Sequence, residues 1–257
     1  MRTVWYLAAA TTLIVTAFAA SGPVLAVLLQ QRGHSTVAVG AFAMIPFACV
    51  GLLIPLMPRI FARMGMVSAY RWGCALEVLG MAGYAAGMFL PQYFALWCAS
   101  AVAGGMGAAA LWNATEALMA QNAPPERRGR VTALYQTILG AALAVGPFAP
   151  AILGASAQQV LWGSAVVVLG AWVVSLATPA QAQQGAFASA EMGTLRAMRV
   201  AGPLVFIAFA GGVFEAGLGS VSAAHGASIG LSLAAAASIV GAIGIGSFVF
   251  QYPAGML

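Results

Sequence analysis

All five acidic side chains of this 257-residue sequence are glutamates, and three of them, Glu77, Glu116 and Glu215, fall inside long apolar stretches. An ionisable group at the centre of a membrane helix costs about 3 kcal/mol or more, so such a residue points to function: holding a proton, a cationic group or a neighbouring arginine. Glu215 stands in the middle of its stretch, about 18 Å along a helix that rises 1.5 Å per residue. It is read either as a proton or cation acceptor or as a neutral glutamate bonded to a neighbouring helix. Glu116 closes its stretch shortly before Arg127, Arg128 and Arg130, where carboxylate and guanidinium can form charge-assisted hydrogen bonds. Glu77 follows Arg71 by two turns, which favours snorkelling or pairing with that arginine.

Other chemistries have less to stand on. Gly226–Ala227–Ser228–Ile229–Gly230 fits the G-x-S-x-G nucleophile pattern, but that pattern needs a strand-to-helix turn and a positioned acid, whereas here it lies between two helical stretches. A membrane-embedded serine hydrolase is therefore the alternative from another class. No lysine exists to complete a phosphate-cradling loop, which excludes an ATP-driven pump. Cys49, Cys74 and Cys98 show no paired spacing, and His34 and His225 read as loop residues. Neither a metal centre nor another cofactor is expected.

The elements that must position these groups are membrane spans. The residues are 62% hydrophobic and 6% charged, far from the quarter charged of soluble proteins. Eight segments reach the ~20 apolar residues that cross a bilayer: Val4–Leu29, Thr36–Met57, Ala69–Leu90, Phe94–Met119, Val131–Leu153, Val160–Leu176, Pro203–Ala223 and Leu231–Gly255. The expected fold class is all-α, a polytopic transmembrane helical bundle. The first apolar run extends through Pro23 to Leu29, longer than a signal-peptide core, and reads as a retained helix.

With the N-terminus in the cytoplasm, Arg2, Arg59, Arg63, Arg71, Arg127, Arg128, Arg130, Arg196 and Arg199 fall on the inner side and only Arg32 outside. That bias follows the positive-inside rule and supports the span count. It makes the bilayer of the cytoplasmic membrane the partner of the +5 charge; scattered arginines without interleaved aromatics argue against nucleic acid. The polar stretch Thr178–Gly202 reads as a linker, which divides the chain into a six-helix bundle at 1–178, a cytoplasmic linker at 179–202 and the start of a second bundle at 203–257. Gln30–Ser35 (QQRGHS) resembles Ala223–Ser228 (AAHGAS), each between two long apolar runs, as a duplication of helical repeats would leave behind.

Several stretches together resemble the Major Facilitator Superfamily, in particular its YcaD-like branch. Pro58–Gly65 (PRIFARMG) lies where that family places its G-x-x-x-D-R-x-G motif, with Arg63 and Gly65 at matching positions and Ala62 in place of the aspartate. Gly105–Met106–Gly107, Trp112, Glu116, Arg128–Gly129–Arg130, Tyr135 and Gly146–Pro147 follow in the family's order. Ala101 stands where relatives often carry an arginine, so the proton-coupling role of that arginine is not carried over. Gln251–Leu257 (QYPAGML) resembles the approach to a second copy of the first motif, which implies an N-terminal fragment of a protein of roughly twelve helices.

The resemblance implies a secondary active transporter that moves a small solute by alternating access, with a proton as coupling ion, and not an enzyme. It implies that Glu215, Asn113, Trp112 and Thr16, with Thr11, line a central cavity. Arg63, Gly65, Glu116, Arg128 and Arg130 would form a cytoplasmic gating network. The sparse polar residues favour an amphipathic or hydrophobic substrate. A channel or structural membrane protein is the third reading, and it lacks a filter-like sequence.

Overall fold

The computed structural model describes residues 2–180, 199–200 and 202–254, without the side chains at 205, 208, 209, 212–216, 247 and 250–254. The described residues form ten α-helices: α1 (Arg2–Gln31), α2 (Thr36–Leu53), α3 (Met57–Met64), α4 (Met66–Gly87), α5 (Tyr93–Asn122), α6 (Arg128–Val145), α7 (Ala149–Leu153), α8 (Ala157–Leu176), α9 (Gly202–Ser228) and α10 (Leu233–Ala254). Short 3-10 turns at Ile54–Leu56 and Gly146–Phe148 join α2 to α3 and α6 to α7. Proline at the start of each turn removes an amide from the ladder, so these two rods bend rather than end.

Counted across those bends, five rods among the described residues are long and apolar enough to cross a membrane, where eight spans were expected: Arg2–Gln31, Thr36–Met64, Tyr93–Asn122, Pro125–Leu153 and Ala157–Leu176. Helix α4 carries both Arg71 and Glu77 and is not among them, although it packs inside the same bundle. Most of the segment expected as a linker at 179–202 lies outside the described residues.

Three reversals share one design. Gly33, Gly154 and Gly230 adopt φ of 88°, 58° and 87°, and two residues later Ser35, Ser156 and Ser232 begin the next helix. At the first, the amides of Gly33 and His34 donate to the carbonyls of Gln30 and Leu29; at the third, those of Gly230 and Leu231 donate to Ala227 and Gly226. The two are the same left-handed helix stop followed by a serine cap. By backbone conformation Gly33 corresponds to Gly230 and not to Gly226, a shift of four residues from the sequence match. The reason is conformational: only the glycine with positive φ marks the turn, and Gly226 lies within α9. Nothing lies within 4 Å of a methyl built on Gly154. Gly154→Ala is thus expected to cost about 1–2 kcal/mol through backbone conformation alone, read as a lower thermal midpoint in detergent.

Helix α1 runs through the middle, against α8, α9, α6 and α5. Helix α4 packs on α5 and α8, α9 also touches α2, and α10 lies along α6. Small residues set these distances, as expected where lipid supplies no hydrophobic drive between helices. A methyl on Gly105 would lie 2.6 Å from the carbonyl oxygen of Pro46 in α2, and one on Gly146 would lie 2.6 Å from Cβ of Ala19. Gly244 of α10 approaches the backbone of Ala144, and Gly241 faces the ring of Phe148. Among the fully buried side chains are Leu7, Leu29, Tyr70, Trp97, Leu111 and Leu161.

Candidate functional site

At the end of the bundle where α1 begins and α5 meets α6, four helices bring hydroxyl groups together. Thr11 of α1 and Thr115 of α5, both fully buried, lie 3.2 Å apart through their Oγ1 atoms. Tyr70 of α4 and Tyr135 of α6 turn toward Thr11 as well, and among the described residues no group meets the Tyr70 hydroxyl with full hydrogen-bond geometry. Thr11, expected to line an open cavity, is instead part of the closed interior, because the face of α1 that carries it is covered by α5 and α6. Thr115 and Tyr70 were not legible as partners, since nothing in the sequence pairs positions so far apart.

The residues expected to face solute separate into two groups. Trp112 is 46% exposed and Glu116, one turn on, is also exposed, so that stripe of α5 offers an aromatic face beside a carboxylate. Asn113 and Thr16 are half-buried, and each serves its own helix: Asn113 Nδ2 donates to the Ala109 carbonyl at 2.8 Å, and Thr16 Oγ1 to that of Thr12 at 2.8 Å. Such back-bonding satisfies the group without a ligand. Glu215 lies midway along α9, and its side chain is outside the described residues.

Of the network expected at the arginine-rich end, Gly65 has a clear local role. Its φ of 81° turns the chain between α3 and α4, and its amide donates to the Phe61 carbonyl at 2.9 Å. Arg63 in the last turn of α3, Arg128 and Arg130 at the start of α6, and Glu116 are all exposed, and no ion pair links Glu116 to them among the described residues. Beside them opens a cleft of about 290 Å³, lined by Arg127 and Arg130 together with Trp5, Met119, Leu134 and Ile138. Guanidinium groups over an apolar wall suit a ligand with an anionic and a greasy part.

Two arginines hold positions that the sequence did not disclose. Arg71 does not pair with Glu77; its Nη2 donates to the carbonyls of Leu176 at 3.0 Å and Thr178 at 2.6 Å and so caps α8. The free carbonyls of a helix C-terminus attract a cation, and here they outcompete the carboxylate. At the opposite end Arg32 lies 4.0 Å over the ring of Tyr93 and 4.9 Å from that of Trp97, while His34 Nε2 is 2.8 Å from the Tyr93 hydroxyl. The aromatic run at the start of α5 was the available signal, as such residues gather at membrane interfaces.

The hydrolase pattern dissolves in the same way. Gly226 and Ser228 are in the last turn of α9, His225 is helical rather than in a loop, and the Ser228 hydroxyl donates to the His225 carbonyl at 2.8 Å. Among the described residues no group of three or more His, Cys, Asp or Glu is placed to hold a metal ion.

Comparison with known proteins gives these features a frame. The chain is 23% identical over 240 residues to the uncharacterized MFS-type transporter YfkF of Bacillus subtilis (strain 168), covering 91% of this chain and 60% of that protein, so it spans well under two thirds of that relative's length. Its fold is similar to that in the crystal structure of a D-xylose-proton symporter, with a TM-score of 0.65 at 13% identity over 98% of this chain and 68% of that one. The family model of the Major Facilitator Superfamily matches residues 7–257, and the chain belongs to the Major Facilitator Superfamily.

Proposed function

We infer that the chain supplies the first six-helix bundle, residues 1–178, a linker at 179–202 and the opening of a second bundle at 203–257 of a secondary transporter for a small solute, within the YcaD-like branch. The family match across residues 7–257 carries this reading. The two bundles rock about a central site that opens to one side at a time. The protein sits in the cytoplasmic membrane with its N-terminus inside, as the arginine distribution favours.

In this reading Glu116, Arg63, Arg128 and Arg130 close the cytoplasmic side when the site faces outward, and the turn at Gly65 aims the first of these arginines. Their exposure fits a network parted in one state and joined in the other. Trp112, Asn113 and Thr16 contribute to the site, and the arginine-lined cleft and the sparse polar groups favour an amphipathic or hydrophobic solute. Glu215 takes the coupling proton. A ligand shifts such an equilibrium only through unequal affinity for the two states.

Counterflow tests the carrier. In proteoliposomes of the complete reading frame, preloaded substrate is expected to accelerate uptake of labelled substrate, whereas conductance without exchange would establish a channel. In the same assay Glu215→Gln is expected to flatten the pH dependence of uptake; normal transport with an unchanged pH profile removes Glu215 from the mechanism.

A further inference from the structure

Helix α4 meets α5 along Gly73, Glu77, Gly80, Tyr84 and Gly87, spaced four and three residues apart and therefore on one stripe. A methyl on Gly73 would lie 2.8 Å from the carbonyl oxygen of Gly107, and one on Gly80 would lie 3.0 Å from that of Ser100. Backbone thus packs on backbone above and below Glu77. Gly104 of α5 stands opposite its carboxylate: a methyl there would meet Oε2 at 3.5 Å, an ordinary van der Waals contact.

Glu77 lies halfway along α4 and is 6% exposed. Among the described residues neither a hydrogen-bond donor nor a cation reaches it, and Arg71, two turns away, is engaged with the end of α8. The titratable groups that face it are Cys74 and Tyr84 of its own helix, and neither supplies a positive charge. From α5 comes Gly104; the hydroxyls of Ser100 on α5 and Ser175 on α8 donate to the carbonyls of Leu96 and Trp172. A bare carboxylate held there has lost most of its water and gained no partner among the described residues, a cost that taking up a proton relieves.

We propose that Glu77 is a proton-binding site of this bundle: the α4–α5 seam houses its carboxyl as the neutral acid. The site is separate from Glu215 on α9 and does not depend on the identity of any transported solute.

Infrared difference spectroscopy of the purified chain in lipid reads this directly, because a sequence with five glutamates and no aspartate has few carboxyl groups to assign. At neutral pH the protein is expected to show the C=O stretch of a protonated carboxyl that exchanges slowly in D2O. Glu77→Gln is expected to remove that band while circular dichroism and the thermal midpoint stay unchanged, and Glu215→Gln is expected to leave it in place. Gly104→Ala, which sets a methyl against the carboxyl, is expected to shift the band without abolishing it, and it serves on its own if Glu77→Gln does not fold. Absence of the band from the unsubstituted protein, its survival in Glu77→Gln, or an unmoved band in Gly104→Ala would each overturn the proposal.

Discussion

Replacing Trp97 by alanine is expected to destabilise the bundle by about 3–5 kcal/mol, the range for emptying a fully buried aromatic site. Trp97 is 0% exposed, and its indole nitrogen donates to the Tyr84 carbonyl at 2.9 Å. The ring also lies edge-on to Tyr93 at 5.2 Å, beneath Arg32, and against Gly87, where no side chain could fit. Lipid cannot flow into the space, because α4 and α5 close it. The loss therefore combines packing, one hydrogen bond and a surface for the guanidinium of Arg32. Trp97→Phe keeps a ring and forfeits the N–H, and it is expected to cost only about 1 kcal/mol for that bond. Midpoints of unfolding in detergent measure both, and an alanine variant no weaker than the phenylalanine one would remove Trp97 from its central place.

The helices were legible because their cause is local. Twenty apolar residues and a backbone that must bond to itself leave only a helix, so the segments expected at 36, 94, 160 and 203 begin within a few residues of where α2, α5, α8 and α9 begin. Partners were not legible, because they depend on which faces meet. Arg71 and Glu77 look like a pair at two turns, yet α8 ends beside one and α5 covers the other. Thr11 carried no mark to separate a cavity position from a core position, and its neighbour Thr115 lies 104 residues away. The repeat shows the same limit on a smaller scale: residue letters matched Gly33 to Gly226, while the sign of φ matches it to Gly230. Trp112 and Glu116, expected in the cavity and in the gating network respectively, lie one turn apart on the exposed side of α5.

The close approach of α4 and α5 makes one methyl group decisive, and its effect should change sign with position. Cβ of an alanine at 107 would lie 2.7 Å from the Gly73 carbonyl oxygen and 3.1 Å from the Glu77 amide nitrogen. Both are backbone atoms of a helix packed on its other side by α8, so neither can give way without moving all of α4. Gly107→Ala is therefore expected to lower stability by about 1–3 kcal/mol, as overpacking does elsewhere. Gly163 in α8 has nothing within 4 Å of the same methyl. There the intrinsic helix preference acts alone, and Gly163→Ala is expected to raise stability by up to about 1 kcal/mol. Midpoints measured under one detergent condition compare the two. If Gly107→Ala matched or exceeded the parent protein, α4 and α5 would have to stand farther apart, and the confinement that isolates Glu77 from water would go with them.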